Sequence, residues 1–241
     1  MKQYIKITTG ALLSALLLPA CKKENQDHQE GPGGPRITIT KTAAAKSDWT
    51  LYIEAAEADR SEIWVDLNSN GTKDDGEAVT KFGQGYADRN VFALGTSKTI
   101  ILYGKVTVLL CHDSELAKLD VSKNTSLKEL NCLNNKLTEL DVSKNIALQK
   151  LNCFSNQLTA LNLSANPDIK NIQVYNNRIP AANMTQLTSS LPARTAADAA
   201  ALYVRQATDN NNRPAATHIA AAKAKKWKLY EFVDGIGWTE L

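Results

Sequence analysis

The chain has 241 residues, 28 Lys and Arg against 25 Asp and Glu, and a formal net charge of +3. Two of the positive charges, Lys2 and Lys6, lie in the opening segment, and no Lys/Arg-rich face runs through the remainder, which argues against a nucleic-acid partner. The histidines, His28, His112 and His218, are far apart and no G-x-S-x-G nucleophile motif occurs, so the sequence offers no convergent catalytic set and is not read as an enzyme.

Residues 1–20 read as a secretory signal. Lys2 and Lys6 precede the apolar run TTGALLSALLLPA, too short to cross a bilayer as a mature helix. Leu18, Pro19 and Ala20 before Cys21 resemble a bacterial lipobox, although Pro19 is an uncommon residue there; the resemblance implies lipidation at Cys21. Several acyl chains on one residue make a stable tether, since each buried methylene adds about 0.8 kcal/mol. Residues 21–35, with KKENQDHQEGPGGP after the cysteine, are too polar and too rich in Gly and Pro to order themselves and read as a flexible tether. The charged start of that tether is similar to the export signal of lipoproteins in Bacteroidetes-type bacteria. It implies an outer-membrane, cell-surface location.

Residues 36–105 carry short β-branched and aromatic runs, RITIT, WTLYIEA, SEIWVDL, NVFAL and KTIILYG, separated by turn residues, which predicts a small antiparallel β domain. Within it, DLNSNGTKDDGE fits D-x-[DN]-x-[DN]-G-x5-E, a pattern that sets oxygens at alternate positions around a cation. Asp66, Asn68, Asn70, the Thr72 carbonyl, Asp74 and Glu77 are therefore candidate Ca²⁺ ligands. The segment before them predicts a strand rather than the helix of an EF-hand, and the same residue types suit a polar hairpin without metal. No other cofactor is indicated.

Residues 106–180 repeat with a period of 21. LDVSKN occurs at Leu119–Asn124 and again at Leu140–Asn145. The columns are Leu127, Leu148, Ile169; Leu109, Leu130, Leu151, Ile172; Cys111, Cys132, Cys153, Val174; Asn135, Asn156, Asn177; and Leu116, Leu137, Leu158, Ile179. This is the leucine-rich-repeat pattern and predicts a short solenoid whose strands stack in a parallel sheet about 4.8 Å apart. Alternation sends Leu130 and Cys132 into the core and Glu129, Asn131 and Leu133 to the concave face. The Asn column falls where the chain leaves the strand, and its amides are suited to backbone groups left open there. LDVSKN is the compact return of each coil, with Val121 and Val142 inward. The cysteines, side by side on parallel strands, are expected as free core residues rather than disulfides or zinc ligands.

Residues 181–241 predict a C-terminal α/β cap. Met184, Leu187 and Leu191 share one helix face, ALYVRQA reads as a strand, THIAAAKAKKW as a helix and WKLYEFV as a strand. The fold class is thus α+β.

The lipobox, the IWVDLN to DGE loop, the strand ILYGKVTVLLC, the LDVSKN coils and the tail AKAKKWKLYEF occur in this order, and the chain resembles internalin-like leucine-rich-repeat surface lipoproteins of Bacteroidetes-type bacteria. The resemblance implies protein binding or adhesion to a host or bacterial surface through the concave face. The residues expected to carry it are the outward column His112, Leu133, Phe154 and Tyr175, flanked by Leu110, Asn131, Asn152 and Gln173. A stripe of rings beside amides suits a protein anchor or a glycan, and the alternative function is a carbohydrate-binding accessory lipoprotein.

Overall fold

The computed structural model describes residues 33–208 and 212–241; the signal segment, Cys21 and nearly all of the tether lie outside the described residues. Among the described residues the fold is β-rich and built from repeated coils, with two short α-helices. In the repeat region β6 (Val108–Leu110), β8 (Glu129–Asn131), β9 (Lys150–Asn152) and β10 (Asn171–Gln173) pair in parallel, with Leu109, Leu130, Leu151 and Ile172 in register. Each coil is thus displaced from the next by the sequence period. The Leu, Cys and return-path Val columns are all buried in one continuous core.

The turn out of each strand is built the same way four times. Asp113, Asn134, Ser155 and Asn176 adopt left-handed backbone, φ 51 to 53°, a conformation that Asn and Asp tolerate best. The residue that follows, a buried Asn in three of the four turns, then bridges two coils. Asn156 donates through Nδ2 to the Cys132 and Cys153 carbonyls at 3.0 and 3.1 Å, and its Oδ1 accepts the Leu137 N–H at 3.0 Å. Asn135 and Asn177 repeat these bonds one coil earlier and one coil later.

The hexapeptide LDVSKN resolves residue by residue. Leu140 and Val142 are buried, Asp141 Oδ1 accepts the Ser143 N–H at 2.8 Å, and Lys144 is exposed. Those hydrogen bonds from Ser143 hold the Asp141 carboxyl below its usual range. Asn145 ends the motif buried, donating to the Val121 and Asn124 carbonyls of the coil before at 3.0 and 2.7 Å. Asn166 does the same to Val142 and Asn145.

The first coil has no coil before it, so both of its strand edges need partners, and the segment 36–105 supplies them. β1 (Arg36–Lys41), β2 (Trp49–Glu54), β3 (Trp64–Asp66), β4 (Asn90–Phe92) and β5 (Thr99–Tyr103) form where the sequence predicts strands. They do not form a separate sheet. β2 adds antiparallel to β6, and β1 adds antiparallel to β7 (Leu116–Asp120), the return of the first coil. The first LDVSKN therefore begins inside a strand, which the second does not. Both sheets run across the 105/106 boundary: one is β3-β5-β1-β7, and the other continues from β4 and β2 through the coils. Gly104, at the passage into the first coil, has φ +99°, and a Cβ there would meet the Glu62 carbonyl oxygen at 2.8 Å.

At the other end the tail continues the array with longer returns. α1 (Ala181–Ser190) leads to β11 (Ala201–Gln206), parallel to β10, and α2 (Ala216–Ala224) leads to β12 (Lys228–Val233), parallel to β11. Met184 and Leu187 of α1 and Leu191 just after it are buried, as their spacing predicts. Asn212 takes the place of the bridging Asn, donating to Val174 and Val204 carbonyls and accepting the Ile179 N–H at 3.0 Å. A last antiparallel strand, β13 (Gly237–Glu240), closes a hairpin with β12. Among the described residues no helix is long and apolar enough to cross a membrane.

Asn156→Ala removes an amide that satisfies three buried backbone groups and is expected to cost about 3 kcal/mol. Urea unfolding should show a lower midpoint with unchanged slope, whereas Ala at exposed Lys144 should leave the midpoint within about 0.5 kcal/mol.

Candidate functional site

The face expected to be concave is the outer side of the long sheet. Its rows follow from the register: Leu110, Asn131, Asn152 and Gln173 stand in one row, which Tyr52 extends at one end and Tyr203 and Tyr230 extend at the other. The neighbouring row contains Glu129 and Lys150, paired at 3.3 Å.

The predicted column His112, Leu133, Phe154 and Tyr175 does project to this face, with all four half-buried, but it does not form one continuous stripe of rings. His112 stacks on Tyr52 at 5.7 Å between centroids and its Nδ1 lies 2.8 Å from Asp113 Oδ2, so it is tied to the first end. Leu133 separates it from Phe154 and Tyr175, which stack on each other at 4.3 Å with an interplanar angle of 15°. Two rings so disposed cover each other's faces and leave mainly edges to a ligand.

The tail then adds what periodicity did not reveal. Trp238 of β13 stands nearly perpendicular to Tyr175, Tyr203 and Phe232, with centroids 5.0, 4.8 and 5.4 Å away, and Tyr203 stacks on Tyr230. Burial in this cluster pushes the Tyr175 phenol up to about 12. Trp238 keeps 39% exposure and Ile236, at the hairpin turn, 76%, whereas Trp49, Trp64 and Trp227 are buried. The C-terminal end of the face is therefore an aromatic wall of six rings, four of them from outside the repeats. Its signal in the sequence is that ALYV and KLYE place Tyr203 and Tyr230 just after a core Leu, as Asn131 follows Leu130. The longer returns, which set Leu202 thirty residues after Ile172, hide this from a search at a fixed period of 21.

The six expected ligands lie on a hairpin that leaves β3 and returns through the bridge Trp64 to Ala78. Asp66 and Glu77 are buried although both are carboxylates. The loop backbone holds them: Asp66 accepts the N–H groups of Asn70 and Gly71 at 3.1 and 2.8 Å, and Glu77 those of Leu67 and Asp74 at 2.7 and 2.8 Å. Asn68 and Asn70 both donate to Asp74 Oδ2, at 3.0 and 2.8 Å. Among the described residues no group of three His, Cys, Asp or Glu side chains is placed to hold a metal ion. A hard cation here would depend on turning the oxygens of the Asn68 and Asn70 amides inward beside Asp74.

Cys111, Cys132 and Cys153 are free and fully buried. Burial raises all three thiols, Cys132 to about 12 and the others well above their ordinary value, so they are poor nucleophiles and metal ligands.

No family model and no curated protein matches this chain. Two solved structures similar to part of it are both from Listeria monocytogenes. The functional domain of InlJ, which includes a cysteine ladder, shares 26% identity over 46% of this chain and 34% of its own, with a TM-score of 0.30. The internalin InlF shares 17% identity over 52% of this chain and 46% of its own, with a TM-score of 0.31. The chain thus spans less than half the length of either.

The buried thiols make stability depend on alkaline pH. The unfolded chain gives up the Cys132 thiol proton near pH 9 while the folded state keeps it to about 12, and burial raises Cys111 and Cys153 in the same direction, so stability falls as pH rises above about 9. Each thiol contributes up to about 1.4 kcal/mol per pH unit. Denaturant titrations at successive pH values should show a shallower decline in Cys132→Ala than in the wild type.

Proposed function

We propose that this chain is a non-catalytic binding module: a short leucine-rich-repeat solenoid, tethered through lipidated Cys21 to the outer face of the outer membrane, that captures a protein partner on a host or bacterial surface. The observation that carries the reading is the aromatic wall on the concave face. Exposed or half-exposed rings of Phe154, Tyr175, Tyr203, Tyr230, Phe232 and Trp238 gathered at one place are not required by the core, which the Leu, Cys and Val columns fill. Aromatic residues supply a large share of binding energy at protein interfaces. The wall is also rigid, since each ring packs on another, so little side-chain freedom is lost when a partner docks. Cys21 and the polar segment after it give the tether that such a role needs.

The test uses intact cells carrying the full chain. Wild type should incorporate radioactive palmitate and adhere to the partner surface. Phe154→Ala with Trp238→Ala should keep the label and the melting temperature within a few degrees while adhesion falls at least about tenfold. Adhesion unchanged in that double variant would refute the concave face as the ligand surface. Cys21→Ala should lose the label, and a retained label would refute the anchor.

The Asp66–Glu77 hairpin is proposed as a Ca²⁺ clamp on the β3 end of the shorter sheet, supported by the alternate spacing of its oxygen-bearing residues and by two buried carboxylates. At free Ca²⁺ one hundred times its dissociation constant, native stability should rise by about 2.7 kcal/mol and return on adding chelator. Equal melting points with and without Ca²⁺ would leave the loop as a hydrogen-bonded turn.

A further inference from the structure

Much of the concave face is not aromatic. Between the Tyr52–His112 pair and the aromatic wall lies a polar floor, where Glu129, Asn131, Lys150, Asn152, Asn171 and Gln173 border a shallow groove of about 250 Å³. Its charges cancel, because the Lys150 ammonium lies 3.3 Å from the Glu129 carboxylate. What remains is a set of amides that donate and accept. Asn131 Oδ1 is engaged by the Leu133 N–H, but Asn152 Oδ1 is covered and has no hydrogen-bond partner, so its amide gains a bond by turning toward a hydroxyl above the groove.

We infer that this floor binds a neutral oligosaccharide chain lying along the direction in which the coils stack, next to the aromatic wall and carried by a glycosylated partner. The inference rests on the concave face being the ligand surface and narrows what that surface recognises. Electrical balance of the floor matches an uncharged, polyhydroxylated ligand better than an acidic or basic one. Spacing favours a sugar over a peptide. Equivalent amides recur at the parallel strand spacing, about 4.8 Å, similar to the rise of one hexose in an extended chain. Successive same-face residues of an extended peptide lie two rises apart, about 6.6 Å, and fall out of step with the amides within two coils. A hexose per coil can place a hydroxyl over each of Asn131, Asn152 and Gln173 in turn, which stand in one register row.

The test is calorimetric titration of the full chain with cellohexaose and with N-acetylchitohexaose, alongside an acidic hexagalacturonate. Saturable binding of a neutral hexamer, weakened at least about tenfold in Asn152→Ala with Gln173→Ala and absent for the acidic hexamer, is the expected result. Circular dichroism melts of the same variant should match the wild type. Absence of saturable heat with both neutral hexamers, equal affinity in the double variant, or equal affinity for the acidic hexamer would overturn the inference. Those outcomes leave the protein-capture reading standing if cell adhesion is still lost in Phe154→Ala with Trp238→Ala. Adhesion that survives in that variant places the failure in the concave-face reading itself.

Discussion

The structure depends on how a 21-residue coil satisfies its backbone where it leaves the strand. A turn that tight strands carbonyl and N–H groups inside the molecule, where an unpaired polar group costs about as much as a lost hydrogen bond. One buried asparagine per coil answers this by donating to carbonyls of two successive coils and accepting an N–H from the earlier one, as Asn156 does. Because the same amide serves two coils, it fixes their register as well as the turn. A second buried asparagine, Asn145 or Asn166, ties the return path in the same way, though its Oδ1 is left without a partner. Everything placed on the concave face, including the regular rows of amides, inherits its spacing from these two ladders.

An array held by neighbours is incomplete at its ends, and the two ends are solved differently. At the first coil, antiparallel β1 and β2 cover the open edges of both sheets, which is possible because an edge strand accepts a partner of either direction. At the last coil, α1 and α2 replace the compact return, and the parallel pairing continues through β11 and β12. These solutions also shape the outer face of the long sheet. Tyr52 arrives with the first cap, and Tyr203, Tyr230, Phe232 and Trp238 arrive with the second, so the short repeat region presents a face bounded by rings at both ends.

The titratable groups divide along the same line. Inside the coils, burial suppresses ionisation of the cysteine column, which serves as small apolar filling. In the Asp66–Glu77 hairpin, two buried carboxylates accept backbone N–H groups of their own loop, which satisfies the polar groups the turn buries.

The period of 21 by itself determined the strands at Leu109, Leu130, Leu151 and Ile172, the inward cysteines and the bridging asparagines, because each coil meets a near copy of itself and equivalent residues meet equivalent surroundings. The flanking strands and helices other than β13 were legible too, from local patterns of apolar residues. Pairing across the 105/106 boundary was not, since which strand covers which edge depends on contacts between residues tens of positions apart. Nor was Asn212 recognisable as another bridging residue, because it follows Val204 by eight positions where Asn177 follows Val174 by three. The candidate site divides the same way. Sequence alternation placed Phe154, Tyr175, Asn131, Asn152 and Gln173 on one face, but the approach of Trp238 to Tyr175, and with it the shape of the aromatic wall, is decided by the β12–β13 hairpin folding back against that face, a tertiary contact between segments sixty-three residues apart.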